Sequence, residues 1–371
     1  MLLLMAASCQ KQIGNQQQIQ NPNAFDIDKF EANIKNTFGA KTVGFSYAIA
    51  VGDNIVRHGA MGMASMGSAD GISGYTSETR QELFSVTKFM TAIAAMKLLQ
   101  LKGKTPDEPI RNYLPPSWNV HSSYNNLSFR QLLSHNSGFQ MSDRGYDSLK
   151  LMMTLPQGST ARSYNNANFA LCRILLPYLK YDGLAYMVNQ KAADIEEVTA
   201  IEFRKIMREL VLKPAGLTYW EKVDFKDWHH DNSPTWIPTR YYLFSNILLG
   251  SDTNSDDVLI AGSRGLVLST YEVAQVINAF ENGKLLPANI VQMMKTAGCG
   301  FDGVGGYSGA KGKYYWKNGG GINRIGQGGE TIIMIFPNSV RVSINANSRI
   351  NPDDQLVGNA ANIAKCYDDA W

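Results

Sequence analysis

At 371 residues, with 44% hydrophobic and 18% charged residues, the chain has ample apolar material for a buried core and lacks the composition of a disordered protein. Its 35 basic and 32 acidic residues leave a formal charge of +3, and the Lys and Arg form no block and no basic helix face. That pattern excludes nucleic-acid or membrane-surface binding carried by charge.

In chain order, Met1 to Ser8 is an apolar run closing on small residues before Cys9, and a Gln/Asn tract continues to Asn23. The segment resembles the end of a bacterial lipoprotein signal, although no basic residue precedes it and Ala6 stands where such signals usually carry Leu. The resemblance implies acyl chains on Cys9, an exported protein at the periplasmic side or cell surface, and membrane contact through the anchor alone. No other segment has the roughly 20 uninterrupted apolar residues of a membrane-spanning helix.

Val43, Phe45, Tyr47, Ile49 and Val51 alternate with smaller residues and lead through Gly52-Asp53-Asn54 into Ile55 and Val56, which predicts a hairpin with one buried face. Met61 to Tyr75 is expected to be a Gly/Ser-rich loop. Val86, Phe89, Met90, Ile93, Met96 and Leu99 recur at helical spacing, so a core helix is expected to start at Ser85 and stop at Lys102-Gly103. Residues 105 to 255 read as mainly helical and loop-rich, punctuated by prolines. Residues 329–336 and 340–346 predict two strands, and 359–368 a terminal helix. Strands at both ends with helices between give a mixed α/β (α+β) class, with one sheet built from both termini. The corresponding division is 1–24 as signal remnant and tether, 25–105 plus 256–371 as the sheet domain, and 106–255 as an inserted helical domain. Cys172 sits in an apolar helical run, whereas Cys299 and Cys366 could pair or stay free.

A serine that attacks a carbonyl needs a base, a positive electrostatic setting and donors for the developing oxyanion. Ser85-Val86-Thr87-Lys88 places an amine at i+3 on a helix, roughly 5 to 6 Å away between β-carbons. Ser85 also stands at the positive end of that helix. The same S-x-x-K spacing recurs at Ser8/Lys11 and Ser308/Lys311, but only Ser85 opens an apolar helix.

From here the chain resembles the class C β-lactamases and their relatives among D-alanyl-D-alanine carboxypeptidases, D-aminopeptidases and esterases, a penicillin-recognising group of serine hydrolases. Besides the Ser85 segment, the resemblance is carried by Asp107 to Pro115, Leu132 to Gly138, Ser163 to Leu171, Gly265 to Thr270, and Tyr314-Tyr315-Trp316-Lys317-Asn318-Gly319-Gly320. It implies a β-lactamase/transpeptidase-like fold in which Ser85 attacks and Lys88 and Tyr164 share proton transfer. Lys317 would be the second cation, and Asn166, Asn318, Gly319 and Gly320 would bind substrate. The backbone N–H groups of Ser85 and Gly320 would form the oxyanion hole. An unperturbed tyrosine titrates near 10, so base duty at Tyr164 asks for nearby cations. Gln327, in Ile325 to Gly329, is the rival for the Lys317 place.

His135 reads as a structural brace, His229-His230 as a loop pair, and Tyr124-Asn125-Asn126 as a surface turn. No nucleotide-binding or zinc-protease motif is present, so neither cofactor nor metal is implied. The expected activity is hydrolysis of a β-lactam, D-amino peptide or ester by a monomer acting on a small or peptidoglycan-derived substrate. The alternative is a catalytically weak penicillin-binding or cell-wall-sensing protein.

Overall fold

Asp26 accepts the backbone N–H groups of Asp28 and Lys29 at 3.0 Å and so starts the first helix, α1 (Ile27–Phe38), whose Phe30, Ile34 and Phe38 are buried. The computed structural model describes residues 24–68, 71–182, 192–225, 239–251, 261–350 and 354–371. The segment around Cys9 and the His229-His230 pair lie outside the described residues.

After α1 come β1 (Gly44–Val51), β2 (Asn54–Ser68), β3 (Gly71–Gly74), β4 (Gln81–Glu82) and α2 (Thr87–Leu101). A run of helices follows: α3 (Phe129–Leu133), α4 (Tyr146–Met152), α5 (Ala167–Lys180), α6 (Ala192–Met207) and the single turn α7 (Lys213–Ala215). The chain then forms β5 (Tyr241–Leu243), β6 (Asn246–Ser251), β7 (Val267–Leu268), α8 (Thr270–Glu281) and α9 (Ala288–Ala297). It closes with β8 (Tyr307–Gly309), β9 (Gly312–Ile322), β10 (Gly328–Ile335), β11 (Val340–Ala346), β12 (Ser348–Arg349) and α10 (Ala360–Asp368).

The main sheet runs β12-β5-β10-β11-β1-β2-β3, with β9 antiparallel to β10 and β8 antiparallel to β9. N-terminal β1 is seated directly against C-terminal β11, Tyr47 opposite Ile344 and Ile49 opposite Val342. Both termini thus build one sheet flanked by helices, as expected. Alternation along β10 sends Ile332 and Met334 to one face and Ile333 and Ile335 to the other. The first face packs on α1 and α10, where Phe336 and Tyr367 stack with ring centroids 4.1 Å apart. The second packs on α2 and α8, and its apolar cluster continues without a break through Leu132, Phe169 and Phe203 of the helical region.

Several expectations need correction. Met61 to Tyr75 continues the hairpin as β2 and returns as β3. Its glycines serve the strands, since Gly62 adopts φ 81° where a Cβ would lie 2.1 Å from the Val43 carbonyl oxygen. Residues 241–251, expected within the helical stretch, form β5 and β6 on the main sheet, and β5 runs parallel to β12. The helix expected from Ser85 begins two residues later, at Thr87, because Phe84–Val86 is a 3₁₀ turn that precedes α2. Tyr124 is fully buried against Phe139, leaving only Asn125 and Asn126 at the surface. Cys172, Cys299 and Cys366 are free and buried. Cys299 and Cys366 belong to the two separate apolar clusters, which disposes of a bond between them.

Candidate active site

Ser85 is presented by a constrained turn. The Leu83 N–H donates to the Leu266 carbonyl at 2.8 Å, and Phe84 then takes φ 46°, a left-handed conformation uncommon for a bulky residue. The ring of Phe84 is buried against Tyr241. Immediately beyond, α2 begins and carries Lys88 inward, completely buried.

Lys88 Nζ lies 3.0 Å from Ser85 Oγ and donates to Asn166 Oδ1 at 2.9 Å and to the Ser263 carbonyl at 2.7 Å. Burial first, and the Lys317 charge second, push the Lys88 amine well below its usual 10.5, with Asp302 opposing. From the loop that leads into α5, Tyr164 Oη approaches Ser85 Oγ at 2.7 Å, while its ring, half exposed, sits 5.1 Å from Lys88 Nζ. Ser85, Lys88, Tyr164 and Asn166 are therefore in mutual contact.

Strand β9 closes the site. Lys317 Nζ stands 5.3 Å from the Tyr164 ring centre and is paired with Asp302 Oδ1 at 2.5 Å. Asp302 Oδ2 accepts the Asn318 N–H at 2.7 Å. Gly319 is pressed onto the Ser85 turn, since a Cβ there would meet the Leu83 carbonyl oxygen at 2.6 Å and Ser85 N at 2.7 Å. The pleat then turns Asn318 and Gly320 to the opposite face. A Gly320 Cβ would meet Arg349 Nη2 at 2.5 Å, and Asn318 Nδ2 donates to the Gly358 carbonyl at 2.7 Å and to Gln355 Oε1 at 3.3 Å. The side chain of Asn318, expected to bind substrate, is thus occupied in holding the 355–358 segment. Gln327 sits in the turn between β9 and β10, where its N–H donates to Asn323 Oδ1 at 3.0 Å and its own Oε1 accepts from Asn323 Nδ2 at 3.1 Å. The residue apposed to Tyr164 is Lys317.

His135 braces this assembly. Its Nδ1 accepts the Asn165 N–H at 3.2 Å and the Asn168 side-chain amide at 3.1 Å, which fixes the proton on Nε2. The ring lies 4.6 Å from that of Tyr164, and burial together with Lys317, Lys88 and Arg162 drives its pKa down to about 2. Three contributors gave no motif signal: Asp302, the Ser263 carbonyl, and Arg162, which donates to the Ser134 and Phe301 carbonyls at 2.8 and 2.7 Å. Among the described residues no cluster of potential metal ligands occurs, and no helix is long and apolar enough to cross a membrane.

A family model described as Beta-lactamase matches residues 30–364. No curated protein matches the chain. Among solved structures, FmtA from Staphylococcus aureus aligns with a TM-score of 0.65 at 16% identity, over 93% of this chain and 89% of that one. The D-alanine carboxypeptidase AmpC from Burkholderia cenocepacia aligns with a TM-score of 0.65 at 12% identity, over 92% and 98%. A D-amino acid amidase from Ochrobactrum anthropi SV3 aligns with a TM-score of 0.63 at 13% identity, over 92% and 96%. At these identities the likeness is one of fold.

Proposed function

The chain belongs to the Beta-lactamase family, and from that premise we propose that it is a serine hydrolase forming an acyl-enzyme on Ser85 with a β-lactam, D-amino peptide or ester. One observation carries the reading. Of the three groups around Lys88 Nζ, the Asn166 carbonyl oxygen and the Ser263 carbonyl can only accept, whereas Ser85 Oγ carries a hydroxyl proton. A neutral amine donates its two hydrogens to the two obligate acceptors and turns its lone pair to Ser85.

Lys88 then removes the serine proton as Oγ bonds to the substrate carbonyl carbon, and the negative charge moves to the carbonyl oxygen. The N–H groups of Ser85 and Gly320 receive that oxyanion. Tyr164 gives its hydroxyl proton to the departing group and recovers one from Lys88. Water later attacks the acyl carbon by the reverse relay, releasing the acid and restoring Ser85.

The test is intact-mass spectrometry after exposure to a fluorophosphonate, penicillin and an aryl ester. Wild type should gain one stable phosphonyl mass from the fluorophosphonate and, from penicillin or the ester, one acyl mass that is lost with time, and Ser85→Ala should gain none of these. An adduct of equal yield in Ser85→Ala would reject the nucleophile. We further propose a lipid anchor on Cys9 of an exported monomer. Wild type should partition into detergent and Cys9→Ala should not.

A further inference from the structure

A cation beside an acyl-transfer serine is the natural seat for a substrate carboxylate, and in this chain that seat is already taken. Lys317 is 1% exposed and its ammonium is held by Asp302 Oδ1 at 2.5 Å. The other carboxylate oxygen of Asp302 is fastened to the Asn318 N–H at 2.7 Å, so the strand that carries the lysine also locks its partner in place. Releasing Lys317 to an incoming anion would strand Asp302, itself only 15% exposed, as an unpaired buried charge.

The neighbouring cations are committed as well. Arg264 makes two bonds of 2.7 Å to Glu82, and Lys88 serves Ser85, Asn166 and Ser263. An acyl donor with a carboxylate on its leaving group would therefore bring a second negative charge up to Asp302, where repulsion in a partly buried cleft is poorly screened.

We propose that Asp302 is a specificity-determining residue that occupies the carboxylate seat on Lys317, so that this enzyme takes esters or amides whose leaving group is uncharged. The inference rests on the acyl-enzyme reading of Ser85. Rejection of the anion comes from a built-in repulsive group rather than from a missing attractive one.

The experiment compares hippuryl thioglycolic acid with its primary amide, two thioesters that differ only in the charge of the leaving group. Wild type should turn over the amide with a kcat/KM roughly 10-fold or more above the acid. Asp302→Asn keeps an acceptor for the Asn318 N–H while freeing the Lys317 charge, so it should bring the ratio to unity or invert it, chiefly through KM for the acid. Fluorophosphonate labelling of Ser85 runs alongside. Absence of labelling in wild type overturns the acyl-enzyme reading. Labelling with a wild-type preference for the acid, or with a ratio that Asp302→Asn leaves unchanged, overturns the role of Asp302 alone. If Arg144→Gln abolished an acid preference, the carboxylate would dock on the 143–145 loop instead, again against the proposal.

Discussion

The Ser263 carbonyl oxygen lies 2.7 Å from Lys88 Nζ, and this main-chain contact, arriving from a segment 175 positions away, aims the lysine at Ser85. Because burial and Lys317 hold the amine well below 10.5, the acylation rate should rise with pH as one proton leaves Lys88 and reach its plateau well before 10.5. Lys317 lowers the Lys88 pKa and Asp302 raises it. Lys317→Met should therefore move the acid limb to higher pH and Asp302→Asn should move it to lower pH. Fluorophosphonate labelling rates from pH 4 to 10 give all three profiles. Shifts of the same sign in both variants would exclude Lys88 as the titrating base.

His135 supplies a second pH dependence, on stability rather than rate. Its folded-state pKa of about 2 lies below the ordinary 6.5, so the unfolded chain takes up the proton first. The contribution is fully present above pH 6.5 and is lost as pH falls toward 2, at a limiting slope of about 1.4 kcal/mol per pH unit. His135→Asn keeps an oxygen near the Nδ1 position for the Asn165 and Asn168 donors and tolerates the φ of 62°. Denaturant titrations from pH 7.5 to 4 should show a flatter acid slope in the variant than in wild type. Parallel slopes would mean that His135 is not the group protonated on unfolding.

Asn318 lies one residue from Lys317 yet should behave as a structural residue. Its amide joins Glu330 in holding the 356–358 segment, where Glu330 accepts the Val357 and Gly358 N–H groups at 2.6 and 2.8 Å. Asn318→Ala should lower unfolding stability by about 1 kcal/mol. Its kcat/KM for an aryl ester should stay within roughly threefold of wild type, since the residue adds no group to the reacting atoms. A large loss of kcat without loss of stability would place the side chain at the substrate after all.

What the sequence made legible follows from how each contribution is encoded. Ser85, Lys88, Tyr164, Asn166 and Lys317 are side chains at fixed local spacings that the fold brings together, and motif reading finds such groups. The Ser263 carbonyl acts through a backbone atom that any residue would supply. Asp302 is a lone acid in a Gly-rich stretch, and only the return of β9 brings it to Lys317. The motif position of Asn318 says nothing of the pleat, which turns its side chain to the Gly358 carbonyl. The alternation that places Lys317 and Gly319 toward Ser85 necessarily turns Asn318 and Gly320 away. Composition hid the later half of β2 and all of β3 for a related reason, since glycines that read as loop meet a close strand approach at Gly62 and positive φ at Gly62, Gly67 and Gly71.

The glycine pair of β9 offers the sharpest contrast between two chemically identical substitutions. At Gly319 an added methyl would face main chain on the nucleophile turn, the Leu83 carbonyl oxygen at 2.6 Å and Ser85 N at 2.7 Å, and neither can yield without moving Ser85. At Gly320 the same methyl would meet Arg349 Nη2 at 2.5 Å, the far end of a flexible side chain that can withdraw by rotation. Displacement of the reacting oxygen by about 1 Å costs on the order of 100-fold in rate. Gly319→Ala should therefore lose about 100-fold or more in Ser85 acylation, whereas Gly320→Ala should stay within roughly 10-fold of wild type. Both variants should keep the wild-type circular dichroism spectrum, so that the difference reports geometry at Ser85 and not unfolding. Equal losses at the two positions would mean that the strand does not fix the nucleophile turn through Gly319.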